Sequence, residues 1–115
     1  MLRVYTAQIG RYQGADAVDI TIKSALPEGR PFAPDRWDMV VGVKRGHVSQ
    51  AAYRAYYRRL MRESYRQHRE AWAGLLARDE VTLLCYCART VPFCHRHILA
   101  REILPALGAR YCGER

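Results

Sequence analysis

Three of the four cysteines in this 115-residue sequence fall within ten positions, at Cys85, Cys87 and Cys94, and His95 and Arg96 follow the third directly. Thiol and imidazole groups at this density suit two kinds of chemistry. One is a reactive thiolate: Cys94 is ionised by nearby positive charge, His95 or His97 serves as base or orienting partner, and Arg96 and Arg89 clamp an anion. The other is a zinc centre, which takes four Cys and His ligands; Cys87, Cys94, His95 or His97, and Cys112 supply such a set. The spacing Cys-x-Cys, six residues, then Cys-His differs from the paired Cys-x-x-Cys knuckles of common zinc sites. A third reading makes Cys85 and Cys87 small buried hydrophobes on a core strand.

A strand leading into a helix must position these groups. Val81-Thr82-Leu83-Leu84-Cys85-Tyr86-Cys87 is apolar or β-forming almost throughout, which predicts a strand buried on both faces with Cys85 and Cys87 on one side. Thr90 is placed to cap the next helix, with Pro92 in its first turn. Cys94 and His95 then sit in a first turn whose unpaired N–H groups favour a thiolate or a bound anion, with Thr90 among the ligand contacts. Open α/β sheets place ligands at such junctions. Ile98, Leu99, Ile103, Leu104 and Leu107 form the helix's packing stripe, while Pro105 predicts a kink or an end near Ile103.

Upstream, Leu2 to Ile9 reads as a first strand and Ala17 to Ile22 as a second, with Asp19 at its end, facing a ribose hydroxyl or a histidine. Pro27, Gly29, Pro31 and Pro34 break regular structure over a stretch long enough to be functional. Asp38 to Val43 is a short strand candidate. Ser49 caps a long helix running to about Ala77, with Tyr53, Tyr57, Leu60, Ser64, Ala71 and Leu75 facing inward and Trp72 and Leu76 widening that stripe. Its other face carries Arg54, Arg58, Arg59, Arg62, Arg66 and Arg69, either as a solvated face or, interleaved with tyrosines, as a nucleic-acid surface. His47 and His68 are read as surface or packing residues, and Cys112 as incidental at a flexible end.

Half of the residues are apolar, enough for one folded domain. Lys and Arg total 19 against 11 Asp and Glu, a net charge of +8, and all but Lys23 and Lys44 of the basic residues are arginine. Arginine's planar fork suits phosphate, so an anionic ligand, nucleotide or nucleic acid is the expected partner. The N-terminal residues lack the apolar core of a signal peptide, and no run approaches the ~18 apolar residues of a membrane span, so a cytoplasmic protein with no membrane association is expected. In that compartment cysteines bind metal, react or lie buried rather than form disulfides.

Leu83-Leu84-Cys85, a short loop, and Cys94-His95-Arg96 with Leu99-Ala100 resemble the signature of the family called domain of unknown function 488. Val4-Tyr5-Thr6 and Val18-Asp19-Ile20 are similar to that family's first two strands. The resemblance implies a small prokaryotic or viral protein in which cysteines suggest enzyme activity, and it carries over best at Cys94, His95 and Arg96. The sequence departs from the pattern at Ala7-Gln8-Ile9, where the family usually has Gly-His-Ser, at Thr21, where it has arginine, and at Cys87, where it often has an acidic residue.

The expected fold is a small α/β domain over residues 1–115, with a mostly parallel sheet of about four strands flanked by a long helix and a C-terminal helix. The leading functional expectation is a nucleotide- or phosphate-ligand enzyme built on Cys94, His95 and Arg96, with Arg89, Thr90, Asp19 and Cys87 as ligand contacts. A zinc-stabilised nucleic-acid-binding module without catalysis is the alternative, and a phage or host interaction protein acting by surface complementarity is a third.

Overall fold

The structure, a computed structural model, describes residues 1–23, 25–87 and 93–115. Strands β1 (Arg3–Gln8), β2 (Ala17–Asp19), β3 (Glu80–Cys85) and β4 (Arg110–Glu114) form one sheet in the order β2-β3-β1-β4, parallel at every pairing. The register sets Gln8 beside Cys85, Asp19 beside Leu84 and Thr6 beside Glu114, so all four strands finish at one edge. Because strand side chains alternate, Val4, Val18, Val81 and Leu83 share one face and join the buried core with Tyr53, Tyr57, Met61 and Trp72 from the helices. On the opposite face Thr82 donates to Asp16, Tyr12 also bonds Asp16, and the Arg115 guanidinium lies 3.7 Å over the Tyr5 ring.

The α/β architecture is the one the sequence predicts, and four elements differ in detail. Residues expected to form a strand from Asp38 to Val43 belong instead to helix α1 (Trp37–Lys44). Met39, Val40 and Val43 lie on one helical face and pack against the core; short apolar runs do not separate helix from strand by period alone. Gly46, at φ +79, closes α1 by letting the His47 and Val48 N–H groups reach the Gly42 carbonyl at 2.8 and 3.0 Å.

The expected single helix from Ser49 to Ala77 is two, α2 (Gln50–Gln67) and α3 (Arg69–Leu76). Ser49 caps α2 as expected, its hydroxyl accepting from the Ala52 N–H at 3.0 Å. The chain breaks at His68, which leaves helical geometry at φ −125, ψ 47. That break folds Trp72 back, so its indole donates to the Ser64 hydroxyl at 3.0 Å and its ring meets Phe32 edge-on at 4.9 Å. The Pro/Gly segment is docked here too: Tyr57 donates to the Phe32 carbonyl at 2.7 Å and Ser64 to the Pro31 carbonyl at 2.5 Å.

The last helix begins later than expected. Cys94 is the residue before α4 (His95–Ile98), which passes through a π turn (Leu99–Ile103) into α5 (Leu104–Ala106). The wide turn, closed by the Leu104 N–H on the Leu99 carbonyl, accommodates Pro105 just beyond it. Thr90 and Pro92, expected to start that helix, lie outside the described residues, as does Arg89. The C-terminus, expected to be flexible, forms β4, which holds exposed Cys112 beside β1. No helix among the described residues is long and apolar enough to cross a membrane.

Candidate active site

The sheet edge where the strands end carries the thiols. β3 stops at Cys85, so Cys87 lies just past the strand rather than on its face as expected. Three neighbours hold this turn by successive carbonyls. The Ile9 N–H donates to Cys85 at 2.9 Å, the Gln8 amide to Tyr86 at 3.3 Å, and Arg96 Nη1 to Cys87 at 2.7 Å. The Cys94 sulfur stands 3.0 Å from that of Cys85. The Sγ atoms of Cys85, Cys87 and Cys94 all lie within 4.8 Å of one another.

The three sulfurs titrate as a unit, and they divide the roles unequally. Hydrogen bonds from Cys85 and Cys94, then the charge of Lys44, hold Cys87 far below the ordinary thiol value. Cys94 is pushed well above it by its hydrogen-bonding contacts with the Cys85 and Cys87 sulfurs, and by burial. Cys85 is raised, first by its hydrogen bond to Cys87. Cys87 is also the least buried of the three. The direction of these shifts and the lesser burial of Cys87 favour the thiolate there, beside the Cys94 that the sequence reading chose.

His95 is buried, and its Nε2 lies 2.8 Å from the Ile20 carbonyl. A carbonyl only accepts, so Nε2 carries the proton and Nδ1 presents a lone pair to the Cys94 sulfur 3.7 Å away. Burial pushes the imidazole down to about 4, so it is neutral at pH 7. Thus the end of β2 does orient a histidine, but through the Ile20 backbone. The Asp19 carboxylate is taken up locally, accepting from the Thr21 N–H at 2.8 Å and hydroxyl at 2.7 Å.

Arg96 is fully buried. Besides the Cys87 carbonyl it meets the Glu114 carboxylate at 3.1 Å and the Cys94 sulfur at 4.0 Å. Burial opposes its charge, but Cys94 and Glu114 outweigh that and raise it. Glu114 is in turn hydrogen-bonded by Thr6, whose hydroxyl also lies 2.9 Å from that of Tyr111. Arg96, expected as an anion clamp, is here an internal strut between β4 and the cysteine turn.

A cavity of about 450 Å³ opens beside the thiols, walled by Val43, Lys44, Tyr53, Phe93 and His95 together with all three cluster cysteines. Its size suits a small-molecule ligand, and Lys44 supplies a cation at its wall. Phe93 stacks edge-on with Tyr53 at 5.8 Å and under the Arg54 guanidinium at 5.4 Å.

The geometry thus gathers Cys87, Cys94, His95 and Arg96 and adds Cys85, Lys44 and Glu114, which the sequence reading left out of the site. Cys85 was visible in the Cys-x-Cys spacing; Lys44 and Glu114 carried no local signal. The expected zinc set of Cys87, Cys94, His95 and Cys112 is not the one brought together. Among the described residues the clustered donors are Cys85, Cys87 and Cys94, and the exposed Cys112 sulfur contacts the Arg110 carbonyl at 3.7 Å instead. The trio offers three soft donors within 4.8 Å of one another, and the Cys85–Cys94 separation of 3.0 Å would widen to the roughly 3.8 Å that tetrahedral zinc needs at Zn–S of about 2.3 Å.

Residues 29–107, more than half of the chain, match the family described as the active DUF488-N3 subclade. The match runs from the docked Pro/Gly segment through the thiols to α5, leaving Val4-Tyr5-Thr6, Val18-Asp19-Ile20 and Glu114 outside it. No curated protein and no solved structure matches the chain.

Proposed function

The chain belongs to the DUF488 family, in its active DUF488-N3 subclade, and we propose that it is an enzyme that binds a nucleotide or another phosphate-bearing small molecule and acts on it through Cys87. One observation carries this reading: Cys87, the least buried of three clustered thiols, lines a cavity whose wall also presents Lys44. A thiolate in that place attacks an electrophilic carbon of the bound ligand. The sulfur–carbon bond forms, the bond from that carbon to the leaving group breaks, and the Cys94 thiol hands its proton to the departing group. His95 steadies Cys94 through Nδ1, Lys44 faces the phosphate, and Arg96 positions Cys87 through its carbonyl. Arg89 and Thr90 follow the cysteine turn in sequence and are assigned to anion contacts.

Alkylation with iodoacetamide, read site by site by mass spectrometry, tests the reading. At pH 6, Cys87 is expected to react at least tenfold faster than Cys112, whose exposed position makes it an internal reference. A nucleoside monophosphate or inorganic phosphate is expected to slow Cys87 alone, and Cys87→Ser to abolish the fast phase. Equal rates at Cys87 and Cys112 would sink the enzyme reading.

The mutual approach of the three sulfurs favours a second reading, a zinc centre with its fourth position toward the cavity. Native mass spectrometry distinguishes them: one zinc per chain, lost in Cys85→Ser and retained in Cys112→Ser, selects the metal.

A further inference from the structure

The cysteine cavity has a neighbour. A second lobe, also about 450 Å³, shares Val40, Lys44, Cys85 and His95 with it and continues to Lys23, Trp37 and Tyr86. Two features set this lobe apart from the rest of the surface. The chain contains 19 basic residues but only two lysines, Lys23 and Lys44, and both line it. Two of the molecule's large exposed aromatics, Trp37 at 54 % and Tyr86 at 49 % exposure, stand in the same wall.

Among the described residues no carboxylate lines the lobe. Those adjoining its lining in sequence are engaged: Asp19 with Thr21, Asp35 with Tyr56, and Asp38 with Arg36. The wall is therefore cationic and aromatic together. Flat rings left in water stack well on planar bases, and lysine ammonium groups hold phosphate as point charges.

We propose that this lobe is a second nucleotide subsite, stacking a nucleobase against Trp37 and Tyr86 and holding its phosphate with Lys23 and Lys44. The inference rests on the reading of the cysteine cavity as a nucleotide site, and extends it: the ligand carries at least two nucleotide units, one in each lobe. Lys44, common to both lobes, faces the phosphate that joins them.

Calorimetric titration of the intact chain with thymidine monophosphate, its 5′-phosphorylated dinucleotide and the corresponding tetranucleotide tests this. Trp37 fluorescence gives a second readout, because Trp72 is 1 % exposed and shielded from a ligand at the surface. The dinucleotide is expected to bind at least about tenfold more tightly than the monophosphate and to quench Trp37. Trp37→Ala and Lys23→Glu, both at exposed positions, are each expected to remove that gain while leaving monophosphate affinity and Cys87 alkylation unchanged. Equal affinity for mono- and dinucleotide, or a gain that survives Trp37→Ala, overturns the subsite.

The two readings fail separately. Protection of Cys87 by the monophosphate with no gain from the second unit keeps the enzyme reading and removes the subsite. A Lys23-dependent gain with no protection of Cys87 keeps the subsite and removes the enzyme reading. A tetranucleotide equal to the dinucleotide assigns a free dinucleotide ligand, and a further gain assigns a longer single strand; both sustain the subsite.

Discussion

A thiol ionises readily where fixed donors and a nearby cation do for the anion what water would otherwise do. At Cys87 those donors are the two deeper thiols, and the cation is Lys44. Types and spacing made Cys94-His95-Arg96 visible as a unit, and the structure does bring the three together. What the sequence could not convey was depth. Arg96 and Cys94 are buried and serve as strut and donor, while the residue two past the strand takes the charge. Depth also makes the histidines acid-sensitive. His95 and His97 are both buried and held down to about 4, mainly by loss of water. An unfolded imidazole titrates near 6.5. Between those values the unfolded chain takes up protons that the folded chain refuses, so stability rises with pH through the window and is lost on acidification. Each histidine is worth on the order of 3 kcal/mol at the acid end. The urea midpoint is expected to fall steeply from pH 6.5 to 4.5, less so in His95→Gln; a flat profile in the wild type would contradict the buried neutral assignment.

Elements are positioned by contacts that are invisible locally. The strand-to-helix passage at β3 and the cap at Ser49 were legible because each is written in consecutive residues. The break at His68 was not, because it follows from the tertiary gain of seating Trp72 against Ser64 and Phe32, which no helical period reports. The strand expected at Asp38–Val43 failed for the opposite reason, an apolar run short enough to serve either element. Gly29 illustrates how tightly the Pro/Gly segment is seated: a Cβ there would fall 1.8 Å from the Asp19 carbonyl oxygen. Gly29→Ala is therefore expected to cost about 2 kcal/mol in chemical denaturation and, because Ile20 follows Asp19, to loosen His95. A variant as stable as wild type would show that the end of β2 yields freely. Ser49→Ala, which removes a single cap bond, is expected to cost about 1 kcal/mol and leave Cys87 alkylation unchanged.

At the scale of the whole molecule, the site depends on the C-terminal strand. Glu114 neutralises Arg96 inside the protein, and Arg96 holds the Cys87 carbonyl. Removing one partner of a buried ion pair strands the other, so Glu114→Gln is expected to destabilise by about 3 kcal/mol. It is also expected to lower the pH at which Cys87 alkylates, because an uncompensated Arg96 charge favours the thiolate, a shift that simple loss of stability would not produce. An unchanged alkylation profile would uncouple β4 from the thiols. The polar β4 segment gave no strand pattern of its own, since it borrows its order from β1.

The placement of β1 between β3 and β4 has a kinetic consequence. Its contacts span 77 positions from Arg3 to Glu80 and 108 from Thr6 to Glu114. Loops that long close late, on a scale of about milliseconds to seconds rather than microseconds. Until they close, the three sulfurs are ordinary thiols near a pKa of about 8.5, indistinguishable to an alkylating reagent. The acidic thiol thus acts as a clock for folding: during refolding at pH 6, pulses of reagent should begin to single out Cys87 in step with the slowest spectroscopic phase, when the two ends of the chain have met.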